Sequence, residues 1–241
     1  MNDDKPTGAK AYGHIGHLPG SRQGPGDHAV HEGQARIATF KARDRHDHIY
    51  VQEKLDGSCV SVAKVNGELI PLGRAGYRAI SSPFVQHVLF HDWAMARWAR
   101  FDALLSDGER VVGEWLAQAH GTRYDFSAED REPFVTFDLM RGSDRLTVAE
   151  FSARTIAHGF WHPVLLAEGP TSIEAAMSAL GTFGHYGAID PVEGCVWRVE
   201  RDGKVDFLAK YVRPDKVDGS YLESLTGGDP VWNWRPGTSA A

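Results

Sequence analysis

Short strand-like segments joined by tight turns dominate the sequence from residue 48 onward. His48 to Lys54 and Cys59 to Val65 are the first two, and Asn66-Gly67 predicts a hairpin into Glu68 to Arg74. Pro71 inside the third segment indicates an edge strand or a bulge, because proline has no N–H to donate to a neighbouring strand. Four further segments have the same character: Arg110 to Leu116, Phe134 to Leu139, Gly194 to Val199 and Val205 to Tyr211.

Segments with helical spacing are fewer. Phe84 to Leu105 is the longest helix candidate. Two capping boxes predict the starts of shorter helices, each ended by a glycine. Their residues are Thr147, Glu150 and Gly159 for the first helix, and Thr171, Glu174 and Gly181 for the second. Since strands outnumber helices and many are joined by short turns, we expect an α+β fold with largely antiparallel sheets.

Composition excludes several classes of protein. The 241 residues are 42% hydrophobic and 24% charged, which rules out wholesale disorder. The net charge of −6 excludes a generally basic nucleic-acid coat, though not a local basic groove. Two cysteines, no secretory signal and no apolar run of about 20 residues predict a cytoplasmic protein without a membrane span. We expect a flexible N-terminus over 1–10, one domain over 11–225 and a C-terminal tail over 226–241 whose last residues fray.

The segment Glu53-Lys54-Leu55-Asp56-Gly57-Ser58 holds the most chemical information. A lysine at a strand end, followed by a glycine turn, exposes a flexible amine over a cleft. On its own the pattern K-x-D-G more often marks a hairpin turn with an exposed lysine than a reactive one.

Further segments follow in a fixed order, each on or beside a predicted strand: Arg74, Gly113-Glu114-Trp115, Phe134 to Asp138, Glu193 to Arg198 and Phe207 to Pro214. This ordered set resembles the covalent nucleotidyltransferase superfamily, which contains ATP- and NAD-dependent polynucleotide ligases and mRNA capping enzymes. The Gly-Glu-Trp-Leu and Ala-Lys-Tyr-Val-Arg-Pro segments are most similar to RNA ligases of the phage T4 RNA ligase 2 type. The resemblance covers about two-thirds of the chain. It implies a nucleotidyltransferase (ATP-grasp-like) domain of two mainly antiparallel sheets with flanking helices and an ATP cleft between them.

The resemblance also implies a role for each site residue. Lys54 would attack the α-phosphorus of ATP, and a deprotonated amine is required for that attack. Phosphoryl transfer needs cations around the phosphates, oxygen ligands for a divalent metal and a stacking surface for the base. The implied assignments are Arg74 and Lys210 at the phosphates, Glu193 at Mg²⁺ or Mn²⁺, Glu114 at the ribose, Phe137 stacked on adenine and Glu53 at the adenine amino group.

Two positions depart from the family pattern. Many ligases carry K-x-K in the segment that ends at Lys210, and Leu208 stands at its first position, so Lys204, Arg213 or Lys216 would have to compensate. Cys59 stands where the T4 type usually has an asparagine. Residues 213–216 look like the Arg-x-Asp-Lys motif of DNA ligases. That motif lies in a C-terminal OB domain, for which the 31 residues after Lys210 leave no room.

The function we expect is ATP-dependent RNA ligation. The enzyme would join 5′-phosphate and 3′-hydroxyl RNA ends through a lysyl-AMP and an adenylylated 5′ end, with Mg²⁺ or Mn²⁺. It would act in RNA repair, with an end-healing enzyme as a partner. The alternatives are a non-catalytic nucleotide- or nucleic-acid-binding module of the same fold, a DNA ligase or capping-type nucleotidyltransferase, and an adenylyl-transfer enzyme with a protein or small-molecule acceptor. The N-terminal segment Tyr12 to Arg22 is similar to the leader of some bacterial and phage RNA ligase relatives.

Overall fold

The computed structural model describes residues 5–128 and 131–237. In chain order its strands are β1 (Gly16–His17), β2 (Asp47–Lys54), β3 (Ser58–Val65), β4 (Glu68–Gly73), β5 (Glu109–Trp115), β6 (Phe134–Arg141), β7 (Asp144–Arg145), β8 (Leu165–Glu168), β9 (Gly194–Arg201) and β10 (Lys204–Val212). Its helices are α1 (Glu32–Thr39), α2 (Val85–Met95), α3 (Trp98–Leu104), α4 (Val148–Ala157), α5 (Ile173–Leu180) and α6 (Glu223–Thr226), with a 3₁₀ turn at Ala79–Ser81. The expected loose start and frayed end fall partly on 1–4 and 238–241, which lie outside the described residues.

The chain forms two compact units, each built from three stretches of sequence. The first contains Met1–Gly13, Gly57–Gln118 and Glu132–His162, and the second contains His14–Asp56, Ala119–Arg131 and Pro163–Ala241. Each unit has one five-stranded sheet. The α+β class with two mainly antiparallel sheets and accompanying helices is therefore confirmed.

The first unit has strand order β4-β3-β5-β6-β7, with every neighbouring pair antiparallel. Asn66 and Gly67 have φ of 52° and 78°, so the predicted hairpin between β3 and β4 has the left-handed turn that asparagine and glycine favour. β4 is an edge strand, which confirms the reading of Pro71. Aromatic rings pack at centroid distances of 5.1–5.7 Å in its core, where α2 and α3 meet β5 and β6; they belong to Phe90, Trp93, Phe101, Trp115, Phe134 and Phe160.

The second unit has strand order β1-β10-β9-β2-β8. All of its pairs are antiparallel except β1 with β10. The indole of Trp197, fully buried on β9, donates to the backbone oxygen of Thr171 just before α5 (3.0 Å) and so ties that helix to the sheet. In the described part of the chain, no helix combines the length and the apolar character that crossing a membrane requires.

The reading of Asp56-Gly57 as a hairpin turn is wrong. β2 pairs with β8 and β9, whereas β3 pairs with β4 and β5, so the two strands belong to different sheets. The turn residues that follow Lys54 therefore carry the chain from one unit into the other. The local pattern of turn residues between apolar runs does not distinguish a hairpin from such a crossing.

The predicted helix from Phe84 to Leu105 is two helices, α2 and α3. Arg97 has φ −113° and ψ 24°, outside the helical region. Its guanidinium lies 4.3 Å from the Trp93 ring centroid and donates to the Trp93 carbonyl (3.3 Å) and to Glu132 (3.3 Å). The contact with Glu132, 35 residues away, is a tertiary contact that helical periodicity does not contain, and the helix breaks at this position.

One of the two capping boxes is confirmed as predicted. Thr147 accepts from the Glu150 N–H, Glu150 accepts from the Thr147 N–H, and Gly159 follows α4 with φ +71°. The other helix starts one residue later than predicted, since Ser172 accepts from the Ala175 N–H while the Thr171 hydroxyl donates to the Gly169 carbonyl. Gly181 ends α5 as expected, with φ +69°.

Candidate active site

Lys54 and Glu193 lie in contact in the second unit. Lys54 is the last residue of β2 and pairs in register with Gly194, the first residue of β9, so Glu193 comes directly before that strand. The Lys54 ammonium donates to Glu193 Oε2 at 2.8 Å, and the two side chains are only 21% and 12% exposed. Burial raises the pKa of Glu193, and the Lys54 ammonium opposes that rise. Lys54 and Glu193, two predicted site residues that lie 139 positions apart in the sequence, are thus brought together by strand register.

Glu53 points to the opposite face of β2 from Lys54, as alternation along a strand requires. It is 2% exposed, and one of its oxygens accepts from the His185 backbone N–H at 3.0 Å. Its other oxygen, Oε1, is buried without a hydrogen-bond donor among the described residues. Burial raises the pKa of this carboxyl group.

Asp56, two residues after Lys54, is the centre of a second buried ion pair. Its Oδ2 lies 2.6 Å from the Lys216 ammonium and accepts from the Gly121 backbone N–H at 3.0 Å. Burial alone would raise the pKa of Asp56, but the charge of Lys216 lowers it on balance. Neither residue was among the predicted site residues, although Asp56 is the third residue of the K-x-D-G pattern.

Lys210 lies on β10 of the same unit and faces residues of the N-terminal segment. It pairs in register with His17 of β1, and its ammonium lies 3.5 Å from Asp27 Oδ1. His17 is 1% exposed, with Nε2 3.2 Å from Asp27 Oδ2 and Nδ1 2.7 Å from the Ser21 hydroxyl. Burial and the neighbouring charge of Lys210 lower the pKa of His17. Leu208 lies two residues before Lys210 and so on the same face of β10.

The other three predicted residues lie in the first unit. Glu114 on β5 accepts from the Gly57 backbone N–H at 3.0 Å and is the register partner of Cys59 on β3. Phe137 on β6 packs edge-to-face against Tyr12, with ring centroids 5.2 Å apart. Arg74, directly after β4, is exposed and donates to the Gly13 carbonyl at 3.0 Å.

The residues present fit a divalent cation that also binds phosphate. Over 5–128 and 131–237, no group of three or more His, Cys, Asp or Glu side chains is placed to hold a metal ion. Mg²⁺ usually takes only one or two protein carboxylates and completes its shell with water and substrate phosphates. Glu193, a carboxylate only 12% exposed beside the Lys54 ammonium, would suit such a role.

Comparison with known proteins places these features in one family. The RNA ligase family model matches residues 47–212. An RNA ligase from Naegleria gruberi, in a mutant form with ATP and manganese, superimposes with a TM-score of 0.52 at 15% identity over 84% of this chain and 60% of that one. The same ligase with pyrophosphate gives 0.52 at 16% identity over 88% and 62%.

An archaeal ATP-dependent RNA ligase is 22% identical over 69% of this chain and 42% of that one, with a TM-score of 0.47. At these identities the structural likeness establishes the fold alone. The chain spans about 60% of the length of the Naegleria ligase. A search of curated protein sequences gives no match.

Proposed function

The chain belongs to the RNA ligase family, and we propose that it is an ATP-dependent RNA ligase that joins 5′-phosphate to 3′-hydroxyl ends. The observation that carries the proposal is the contact between Lys54 and Glu193 at the end of β2. Lys54 is only 21% exposed and its Nζ is held at a fixed place at the end of β2. Covalent capture of a nucleotide requires an amine positioned in this way.

In the first step Lys54 Nζ attacks the α-phosphorus of ATP. The N–P bond forms, the bond to the bridging oxygen breaks and pyrophosphate leaves. The ammonium first loses a proton to solvent, and Glu193 Oε2, which lies 2.8 Å from Nζ, keeps the lysine in place. The product is a lysyl-AMP. In the second step a 5′-phosphate oxygen of the RNA attacks the phosphorus of the bound AMP, the N–P bond breaks and the Lys54 amine is released. In the third step the 3′-hydroxyl oxygen attacks the RNA 5′-phosphorus, AMP leaves and the hydroxyl proton is lost to solvent.

The other predicted residues bind and orient the nucleotide in this proposal. Lys210 and Arg74 neutralise phosphate charge, and Phe137 stacks on the adenine. Glu114 binds the ribose, and Glu53 Oε1, which lacks a donor among the described residues, accepts from the adenine amino group. Mg²⁺ or Mn²⁺, held by Glu193 when bound, would neutralise charge that develops on the phosphates.

The broader expectations are part of the same proposal. Residues 11–225 form the adenylyltransferase domain, the protein acts in the cytoplasm in RNA repair, and an end-healing enzyme supplies the 5′-phosphate and 3′-hydroxyl termini. The match of residues 47–212 to the RNA ligase family model supports the choice of RNA over DNA ends.

Sealing assays on matched substrates test this function. With ATP and Mn²⁺ we expect the chain to join RNA strands bearing 5′-phosphate and 3′-hydroxyl ends faster than the matching DNA strands. Lys54→Ala should not join these strands. It should still join RNA whose 5′ end already carries AMP, because Lys54 forms the covalent bond only in the first step. Faster sealing of DNA, or GMP transfer from GTP, would support the DNA-ligase or capping alternatives instead.

The second candidate function is a binding module without turnover. Leu208 favours it, because an apolar residue replaces a cation on the same face of β10 as Lys210. This candidate predicts that wild-type protein binds ATP and RNA but forms no covalent adduct and joins no ends.

A further inference from the structure

We propose that Lys216 is a positioning residue for the nucleophile: it neutralises and holds Asp56, so that the Lys54 amine stays directed to Glu193. This inference rests on the proposed function, since it assigns Lys216 a part in lysyl-AMP formation. It also identifies which cation makes up for Leu208. In this proposal Lys216 compensates for Leu208 by fixing the segment that carries Lys54, and it makes no contact with the phosphates of ATP.

Lys216 is almost completely removed from water. Its side chain is 1% exposed, and its ammonium lies 2.6 Å from Asp56 Oδ2 and 2.5 Å from the Thr122 hydroxyl oxygen. Lysine is rarely buried to this extent unless its charge is paired. The ammonium therefore acts on Asp56 and Thr122, its two close polar contacts, and is shielded from solvent.

Asp56 is fixed by its backbone as well as by its side chain. Its carboxylate accepts from the Gly121 N–H, and its own backbone N–H donates to the Tyr124 hydroxyl, both at 3.0 Å. The 119–124 segment that supplies these groups is tied in turn to the C-terminal tail. Ala119 N–H donates to the Val231 carbonyl and Tyr124 N–H to the Asn233 side chain. Two hydrogen bonds and an ion pair therefore hold Asp56 in place, two residues after the nucleophile Lys54.

Charge balance explains why the cation is needed at this place. Two ammonium groups, Lys54 and Lys216, face two carboxylates, Glu193 and Asp56, and the Lys54 ammonium acts electrostatically on both carboxylates. Without Lys216, Asp56 would be a buried carboxylate with an uncompensated charge, which is strongly unfavourable. Lys54 is the other ammonium that acts electrostatically on Asp56, so its amine would be drawn from Glu193 toward Asp56.

The other two candidates for the compensating cation are placed differently. Lys204 is exposed at the start of β10. Arg213 uses its guanidinium to bind the Val192 and Pro191 carbonyls and the Asp215 carboxylate. Of the three, Lys216 is the one that shares an ion pair with the K-x-D-G segment.

The test compares four proteins: wild type, Lys216→Met, the double variant Lys216→Met with Asp56→Asn, and Lys204→Met as the matched control. For each, the rate of lysyl-AMP formation is measured across ATP concentrations together with the thermal unfolding midpoint. We expect Lys216→Met to lower the maximal rate about 100-fold, the scale of a small displacement of a reacting group. The ATP concentration at half-maximal rate should change less than threefold, since Lys216 does not bind the nucleotide. Lys204→Met should match wild type.

The double variant tests the charge argument directly. It replaces the ion pair by two neutral side chains of similar size, so its unfolding midpoint should return toward the wild-type value. Because Asp56→Asn removes the charge that would draw Lys54 from Glu193, the maximal rate of lysyl-AMP formation should also return toward the wild-type value. A double variant as slow as Lys216→Met, or a folded Lys216→Met with the wild-type rate, overturns the proposal. Absence of lysyl-AMP from wild type would instead overturn the proposed function itself.

Discussion

At the scale of single residues, the chemistry depends on pairing each buried charge with one partner. Lys54 is held by Glu193, Lys216 by Asp56 and Lys210 by Asp27. Each lysine in the second unit's site is thus matched to a carboxylate before any phosphate arrives. Substrate phosphates would replace these carboxylates as partners of the lysines that they contact.

Phe137→Ala should weaken ATP binding and leave the rate of lysyl-AMP formation at saturating ATP unchanged. Loss of stacking on a base costs about 1–3 kcal/mol, which raises the half-saturating ATP concentration about 5- to 150-fold. Phe137→Tyr keeps the ring and serves as the control. The measurement is the ATP dependence of lysyl-AMP formation, and an unchanged half-saturating concentration in Phe137→Ala would show that this ring packs against Tyr12 and does not bind the base.

The sequence allowed most of the candidate residues to be identified, but not their partners. The K-x-D-G pattern and the ordered segments after it predicted Lys54 and Glu193, and the structure brings them into contact. Asp56 was missed, and Lys216 was named only as a cation that could compensate for Leu208, because an ion pair between residues 160 positions apart has no local signal. The contact of Asp27 with Lys210 was missed for the same reason, since it depends on β1 joining β10.

At the scale of elements, β2 places the nucleophile, and both of its ends are fixed. Its first residue, Asp47, has a fully buried side chain that binds Arg43 (2.7 Å) and Arg201 (2.9 Å). Its last residue, Lys54, binds Glu193, and β3 begins four residues later. Gly57, directly before β3, packs closely against the Trp115 carbonyl, and this contact fixes the start of β3 in the sheet of the first unit.

Gly57→Ala should destabilise the protein by about 1–3 kcal/mol, the usual cost of overpacking. A Cβ at this position would overlap the backbone carbonyl of Trp115, which cannot move without disturbing β5. Gly33→Ala is the control, because that glycine lies in α1 with open space around it and should be stabilised by about 0.5–1 kcal/mol. Urea unfolding of both variants measures the difference, and equal stability of Gly57→Ala and wild type would contradict the packing described.

The ion pairs at the start of β2 predict an acid-sensitive stability. Burial alone would raise the pKa of Asp47, but Arg43 and Arg201 lower it from 3.8 to about 2. A carboxyl group with a lowered folded-state pKa stabilises the fold above its unfolded pKa, and this contribution is lost as pH falls through the folded value. It amounts to about 2 kcal/mol at neutral pH.

Asp47→Asn should therefore be less stable than wild type at pH 7, and the gap should narrow as pH falls from about 4 toward about 2. Urea midpoints measured at several pH values give this comparison. Asp206→Asn is the control, since that partner of Arg43 is 37% exposed and should show little change. A gap of constant size across this range would show that Asp47 stabilises β2 by packing and not by charge.

Element types were predicted better than their ends and their pairing. The strand segments from residue 48 onward all form strands, because alternation and turn residues are local signals. The break at Arg97 accompanies its contact with Glu132, and the cap at Ser172 follows the Thr171 carbonyl that accepts from Trp197; sequence periodicity contains neither contact. α1 and β8 were not predicted, since α1 has only eight residues, one of them a glycine, and β8 has only four.

At the scale of the whole molecule, neither unit is a continuous stretch of chain. The sheet of the second unit joins β2 to β8 and β9, more than 100 residues away, so unit boundaries could not be read from composition along the chain. The predicted domain over 11–225 stays a prediction. The fold class could be predicted because it depends on the kinds of element present and not on where they pair.

Stability of the whole chain should rise when nucleotide binds. A ligand at about 100 times its dissociation constant stabilises the folded state by about 2.7 kcal/mol. ATP with Mn²⁺ should therefore raise the thermal midpoint of Lys54→Ala, which cannot react. The double variant Lys54→Ala with Lys210→Ala, which cannot react either, should show a smaller rise if Lys210 binds phosphate. Equal rises in the single and double variants would remove Lys210 from the nucleotide site.

The central claim is that Lys54 takes AMP from ATP, and intact-protein mass tests it most directly. After incubation with ATP and Mg²⁺ or Mn²⁺, we expect wild type to gain the mass of one AMP and to lose it again with pyrophosphate. Lys54→Ala should gain nothing. The claim would be contradicted by an unchanged mass with ATP, NAD and GTP in protein that carried no AMP as purified, or by an adduct that survives in Lys54→Ala.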